Sequence, residues 1–214
     1  MFLFNVLIAF TVNYGGGFGG VIVGGAMPYV DGINTRMAPT GVKFSNYSYG
    51  IGGGGYSIVK KLAIGGAGIG YSQSAESPTL RADLSLGMGF FQVGYRVLHL
   101  KFLDIIPMIG IGGGGYTINL RPKLADVDFD SLILNPGRTS SITTGGFGLA
   151  PQIMAMLSLG ESKSFINLIV QAGLIWMPQA GTWKLSDGAA LLNGPEIKSY
   201  APYINLGIVF GGGV

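Results

Sequence analysis

Read with a period of two, the stretch Phe165–Trp176 separates into two faces. Ile166, Leu168, Val170, Ala172, Leu174 and Trp176 form one that is apolar throughout. Phe165, Asn167, Ile169, Gln171, Gly173 and Ile175 form the other, which carries amides and a glycine but no charge. An apolar face about ten residues long with an aromatic at its end suits a strand that crosses a bilayer. The same alternation fits a core strand of a soluble sandwich or one side of a buried helix. The remaining segments decide between them.

Seven further segments alternate in the same way. Met1–Phe10 and the residues up to Tyr14 place Phe2, Phe4, Val6, Ile8, Phe10, Val12 and Tyr14 on one side. This reads as a first strand, although its apolar run also resembles a leader remnant or a short anchor helix. Strands are expected next at about Gly41–Val59, Leu62–Ser74, Leu80–Leu98, Leu103–Leu120 and Thr144–Ser158, then at Phe165–Trp176 and Tyr200–Phe210. In the fourth, Ala82, Leu84, Leu86, Met88 and Phe90 oppose Arg81, Asp83, Ser85, Gly87 and Gly89, after which Phe91, Val93, Tyr95 and Val97 become the apolar set. A bulge at Phe90–Phe91 would account for this slip of phase.

The connections sort themselves. Residues 26–40, 121–143 and 178–198 are long and rich in turn formers, and QSAESP at Gln73–Pro78 is a polar loop. Residues 60–61, 98–102 and 160–164 are short turns. Every second link is a loop and the others are tight, the arrangement of an up-and-down barrel with short turns at one rim and longer loops at the other. A Greek-key sandwich has no reason to sort its links this way. The expected fold is an all-β, eight-stranded antiparallel transmembrane barrel forming a single domain, with both termini on the short-turn side.

Composition moves the balance the same way. Only 11% of residues are charged and the mean hydropathy is +0.48, against about 25% charged in an average soluble domain. Too few charges remain to coat a soluble globule. The net charge of +3 is scattered rather than clustered, which argues against nucleic acid as a partner. Cysteine is absent, removing disulfides, thiol catalysis and cysteine-ligated zinc.

Glycine, at 39 residues, lies among Ile, Val, Tyr and Phe. IGGGGY occurs twice, at Ile51–Tyr56 and Ile111–Tyr116. No Lys-Ser/Thr follows either copy, so a phosphate-cradling loop is disfavoured. In strands, such glycines permit sharp bending and leave a groove for a neighbouring ring, with Tyr56, Tyr71 and Tyr116 as candidates.

The alternating strands, the turns at Lys60–Lys61, His99–Phe102 and Gly160–Ser164, and the last strand Tyr200–Phe210 together resemble the small bacterial outer-membrane β-barrels. In layout the chain is similar to the transmembrane domain of outer membrane protein A and to outer membrane protein X. Its last strand resembles the aromatic-ended assembly signal of such proteins, but Gly211–Val214 follow Phe210. The resemblance is architectural, covers nearly the whole chain and singles out no subfamily. It implies a location in the bacterial outer membrane, with the lipid bilayer as the main partner.

A barrel of this size is narrow and its interior is filled by side chains. Arg81, Asp83, Arg96, Asn167, Gln171 and Asn205 are the expected interior polar residues, with Arg81 and Asp83 as an interior ion pair. Tyr47, Tyr49, Tyr95, Trp176 and Tyr200 are expected at the membrane interface. No cofactor or metal is expected: Asp126, Asp128 and Asp130 have the spacing of a weak calcium loop but lack its glycine and bidentate glutamate. Some barrels of this size are lipid-modifying enzymes using serine and histidine near the outer rim. The sole histidine, His99, lies in a short turn at the other rim, leaving such a serine without its base. The first expectation is therefore a non-enzymatic barrel with a structural or loop-mediated contact role. The alternatives are a barrel that binds or laterally passes a small apolar molecule or lipid, and a lipid-modifying enzyme.

Overall fold

The computed structural model describes residues 15–100, 102–123, 129, 133, 139–159, 164–177, 181–195 and 200–213. The expected first strand at Met1–Phe10 and the carboxylates Asp126, Asp128 and Asp130 lie outside the described residues.

Eight long strands make the wall: β1 (Gly15–Ala26), β2 (Ser48–Val59), β3 (Leu62–Glu76), β4 (Leu80–Tyr95), β6 (Leu103–Pro122), β7 (Ser140–Ser158), β8 (Ser164–Trp176) and β10 (Tyr200–Gly213). The two-residue strands β5 (Leu98–His99) and β9 (Lys184–Leu185) pair with β6 and β7. Each long strand pairs antiparallel with its neighbour in the chain, β10 returns to β1, and the β6–β7 ladder leaves no gap. The fold is a closed, eight-stranded, all-antiparallel barrel.

Closure carries a fixed stagger. Stepping from Phe210 through hydrogen-bonded partners leads to Gly19, Gly55, Gly66, Phe91, Ile111, Leu149 and Trp176, and then to Tyr200. One circuit thus displaces the register by ten residues of β10. Such a shear inclines eight strands by about 40° to the axis.

β8 and β10 show what faces lipid. Ile166, Leu168 and Trp176 are exposed while Asn167, Ile169, Gln171 and Ile175 are buried. On β10, Tyr200, Ile204, Leu206, Ile208 and Phe210 are exposed and Ala201, Asn205 and Val209 are buried. At about 3.3 Å per residue and this tilt, Tyr200 to Phe210 covers roughly 25 Å of height, the height of the apolar band of a membrane barrel.

β4 and β6 behave differently along their length. On β4, even-numbered residues from Ala82 to Gly94 face inward without interruption. Its register with β3 and with β6 is continuous, so there is no bulge at Phe90–Phe91. The apparent slip has another cause. Near the short-turn rim the outward positions are Phe91, Val93 and Tyr95; beyond Gly89 and Gly87 they are Ser85, Asp83 and Arg81. β6 repeats this, from Ile105, Pro107, Ile109 and Ile111 outward near the turn rim to Thr117, Asn119 and Arg121 at the far end. The strand keeps its phase while its surroundings change from hydrocarbon to water. Arg81 and Asp83 are therefore on the outer wall, not in the interior where alternation alone had placed them.

The connection after β1 is more than a loop. Helix α1 (Asp31–Met37) and a 3-10 turn at Ala38–Thr40 occupy it, and β2 starts at Ser48 rather than near Gly41. Gly41 ends the turn at φ 73°, a left-handed conformation suited to glycine. Val42 and Phe44 then turn into the core instead of pairing. In the other direction, β6 reaches Pro122 and β7 begins at Ser140, shortening the expected 121–143 loop from both ends.

Candidate functional site

The interior has three layers. Nearest the short-turn rim, Phe18, Ile58, Ile106, Met156, Ile169 and Val209 belong to one apolar cluster. At the opposite end, Val30, Ile33 and Met37 of the first connection pack with Leu84, Leu86, Tyr116 and Ile118 of the wall, and with Trp183. This segment caps the barrel. Asn34 latches it by accepting from the Phe44 amide at 2.7 Å and donating to the Phe44 carbonyl at 3.0 Å. Gln73 does the same for Ser45, accepting from its amide and donating to its carbonyl, both at 2.8 Å.

Between the apolar layers lies a polar network. The Tyr56 hydroxyl donates to Gln92 Oε1 at 2.5 Å and accepts from Gln171 Nε2 at 2.9 Å. Gln152 Nε2 also donates to Gln92 Oε1, at 2.8 Å, and the Tyr203 hydroxyl donates to Gln152 Oε1. Nearby, Tyr71 donates to Asn205 Oδ1 at 2.7 Å. A cavity of about 20 Å3 remains, lined in part by Gln92, Gln152, Gln171, Tyr203 and Asn205. That is room for roughly one water molecule. Buried amides and hydroxyls satisfy one another here, as a low-dielectric interior requires.

The expected interior residues fall in three places. Gln171 and Asn205 are buried and join these hydrogen bonds. Asn167 is fully buried nearer the turn rim, and among the described residues neither side-chain polar atom has a partner. Arg96 lies at that rim, donating to the Lys60 carbonyl at 2.7 Å and facing the buried Asp104 at 3.7 Å. Asp104 also meets His99 Nδ1 at 2.6 Å, so the sole histidine is held in a rim ion cluster. Gln92, Gln152 and Tyr203 were not among the expected interior polar residues. Their signal was a lone amide or hydroxyl at an inward alternate position of an otherwise apolar strand.

Arg81 and Asp83 belong to an outer ladder above the belt. Ser74 donates to Asp83 Oδ1 at 2.6 Å, Arg81 lies 3.3 Å from the same oxygen, and Arg121 lies 3.7 Å from the other. The Ser74 hydrogen bond, then the two guanidinium groups, hold the Asp83 carboxyl below its usual range. Lys123, 2.7 Å from Glu76, does the same for that carboxyl.

The repeats serve the wall. Tyr56 and Tyr116 point inward and are buried, while Ile51 and Ile111 point outward. The Tyr56 ring covers Gly65 and the Tyr71 ring covers Gly50, each its cross-strand partner. Tyr116 stands opposite Leu86 and Thr144 rather than a glycine. Tyr47, Tyr49, Tyr95, Trp176 and Tyr200 are all exposed.

Among the described residues no group of three or more acidic, histidine or cysteine side chains is placed to hold a metal ion. Among the described residues no helix is long and apolar enough to cross a membrane. Closure, short and long rims and the apolar belt define this chain as a transmembrane β-barrel.

Solved structures agree. The chain is similar to Ail, the attachment invasion locus protein of Yersinia pestis, at 9% identity and a TM-score of 0.51, covering 94% of this chain and 99% of that one. Ail in complex with the heparin analogue sucrose octasulfate aligns at 12% identity and a TM-score of 0.48, over 91% and 98% of the two chains. The outer membrane protein OprG from Pseudomonas aeruginosa aligns at 13% identity and 0.41, over 94% and 96%. The likeness to Ail is one of fold. No protein-family model matches the chain, and no curated protein matches it in sequence.

Proposed function

We propose that this chain is a non-enzymatic barrel of a bacterial outer membrane, closed to passage, whose role is structural and exercised through contacts at its long-loop end. The observation that carries this reading is the filled interior. Two apolar clusters, a hydrogen-bonded amide layer and the α1 cap leave a cavity of about 20 Å3. That is too small for an apolar ligand of drug size, which needs about 300 Å3 or more, so the interior gives little support to a carrier role. The belt supports a bilayer location. Trp176, Tyr200 and Tyr49, exposed toward the loop end of the belt, and Tyr95, exposed toward the turn end, have the amphipathic rings that suit head-group contact. Above the belt, β3, β4 and β6 carry the outer ladder of Glu76, Arg81, Asp83, Arg121 and Lys123 into water, a polar face suited to contact. His99 Nδ1 is engaged by Asp104 at the short-turn rim, which disfavours a Ser–His hydrolase at the long-loop end.

Reconstitution into a planar bilayer tests the reading. Stable insertion without single-channel steps is expected. Reproducible conductance through the folded barrel would overturn the closed interior and return a channel.

A further inference from the structure

The glycines of the wall differ in what a side chain would meet. At inward Gly50, Gly65 and Gly112 an added Cβ would collide with backbone or a packed ring. At outward Gly70, Gly87 and Gly89 it would meet nothing within 4 Å. The packing of the barrel gives no reason for glycine at these three positions. Gly70 pairs with Gly87, and the row continues through Gly115 and Gly145, where a Cβ would instead meet the opposing backbone at 2.5 and 2.6 Å. The result is an outer surface of bare backbone just above Phe91, Ile111 and Phe147.

This floor runs into a groove of about 690 Å3 between β4, β6, β7 and the segment leading to β9. Gly181 holds the segment in place, its amide donating to the Gly145 carbonyl at 3.0 Å and its carbonyl accepting from Thr144 Oγ1. Ser85, Thr117, Thr143, Thr182 and Lys184 line it. Among the described residues, none of these four hydroxyls and no atom of the Lys184 ammonium has a side-chain hydrogen-bond or ion-pair partner. Asp83, one outward step above Ser85, is taken up by Ser74, Arg81 and Arg121. The groove therefore offers one uncompensated positive charge and several free donors.

Its height matters. The row through Phe91, Ile111, Leu149 and Trp176 climbs about 3 Å per strand toward Tyr200 as a consequence of the shear, so Gly87, four residues toward the loop end from Phe91, comes level with Trp176, and Gly115 and Gly145 stand slightly higher. The glycine floor is at the top of the apolar belt and the hydroxyls and ammonium are just above it.

We propose that the groove binds a phosphate-bearing lipid of the outer leaflet. Lys184 and the hydroxyls of Ser85, Thr117 and Thr143 hold the phosphate by charge-assisted and neutral hydrogen bonds. The acyl chain lies down the wall on Gly87, Gly89 and Gly70, where the missing side chains let methylenes reach van der Waals contact with the backbone. A phosphate without a chain uses only the upper half of the site, and a chain without a phosphate only the lower half.

The inference rests on the bilayer-spanning reading, and its test keeps the two apart. The full chain is folded in a neutral detergent and titrated with dodecyl phosphate, followed by calorimetry, with inorganic phosphate as the chainless control. Lys184→Gln and Gly87→Val are compared, with heat-shifted gel mobility verifying that each barrel is folded; Gly87→Val projects into open space. Each variant is expected to weaken dodecyl phosphate about tenfold, the size of one charge-assisted contact or of a few lost methylene contacts. Inorganic phosphate is expected to bind weakly and to be indifferent to Gly87→Val. Equal affinity for dodecyl phosphate in all three proteins overturns the site. An effect of Lys184→Gln alone, or inorganic phosphate binding as tightly as dodecyl phosphate, overturns the lipid and leaves a small-anion pocket. A chain soluble without detergent would instead defeat the membrane reading itself.

Discussion

Gln152 on β7 donates through its side-chain amide to the Gln92 carbonyl oxygen on β4 at 2.8 Å, reaching over the intervening strand β6. Gly110 of β6 makes this possible. A Cβ there would come within 3.0 Å of Phe90 Cβ, 3.2 Å of Ala150 Cβ and 3.3 Å of Gln92 Cγ. Two amides 60 residues apart thus meet because the residue between them has no side chain.

Removing the shared acceptor exposes the cost of the network. Gln92→Leu leaves the Tyr56 hydroxyl and the Gln152 amide without their acceptor in a buried layer. A loss of about 1–3 kcal/mol is expected in urea-induced unfolding from lipid vesicles. Adding Tyr56→Phe to Gln92→Leu removes one orphaned donor, so the double variant should cost less than the sum of the two singles.

Gly52 and Gly70 test the difference between a crowded glycine and an open one. At Gly52 a Cβ overlaps the Gly68 carbonyl and the Ile69 side chain; at Gly70 it meets nothing within 4 Å. Gly52→Ala should abolish or sharply reduce the heat-resistant folded band. Gly70→Ala should fold as the parent does and gain up to about 1 kcal/mol, because alanine has fewer unfolded conformations to lose.

The two tryptophans report on opposite sides of the wall. Trp176 is 44% exposed on the outer face, whereas Trp183 is 5% exposed and donates to the Pro195 carbonyl beneath the cap. Lipids brominated near the head group should quench Trp176 fluorescence and leave Trp183 bright. Trp176→Phe should then abolish most of the quenching; quenching that survives it would place the belt elsewhere.

A charge scan along the outer wall checks the change of surroundings. Ile204 is 57% exposed within the belt, while Asn119 stands beside Asp83 above it. Ile204→Arg should cost about 2–4 kcal/mol, as expected for a cation near the bilayer midplane. Asn119→Lys should be nearly neutral when unfolding from vesicles is measured.

Much of this was legible along the chain. Phe165–Trp176 and Tyr200–Phe210 could be read because lipid contacts one face over their whole length, so a period of two separates the faces from end to end. The sorting of short and long links was legible because an up-and-down barrel must place alternate connections at opposite rims. Gln171 and Asn205 were expected inside because an uncharged amide among aliphatic neighbours has few other places to go.

The interior position of Arg81 and Asp83 and the bulge at Phe90–Phe91 failed for a single reason. Periodicity reports which residues share a face, not what that face touches. On β4 one face meets hydrocarbon beside Phe91 and water beside Arg81, so the apolar set changes sides while the strand does not. Only the closed ladder, with its ten-residue shear, establishes the height of each residue and therefore which solvent it meets. The same holds for the glycines. IGGGGY announces strand and curvature, but only the packed wall separates Gly52, which has no room for a side chain, from Gly70, which has room and carries none. Local sequence determined the strands, their faces and the order of the rims; the tertiary structure decided register and height, because both depend on partners remote in the chain.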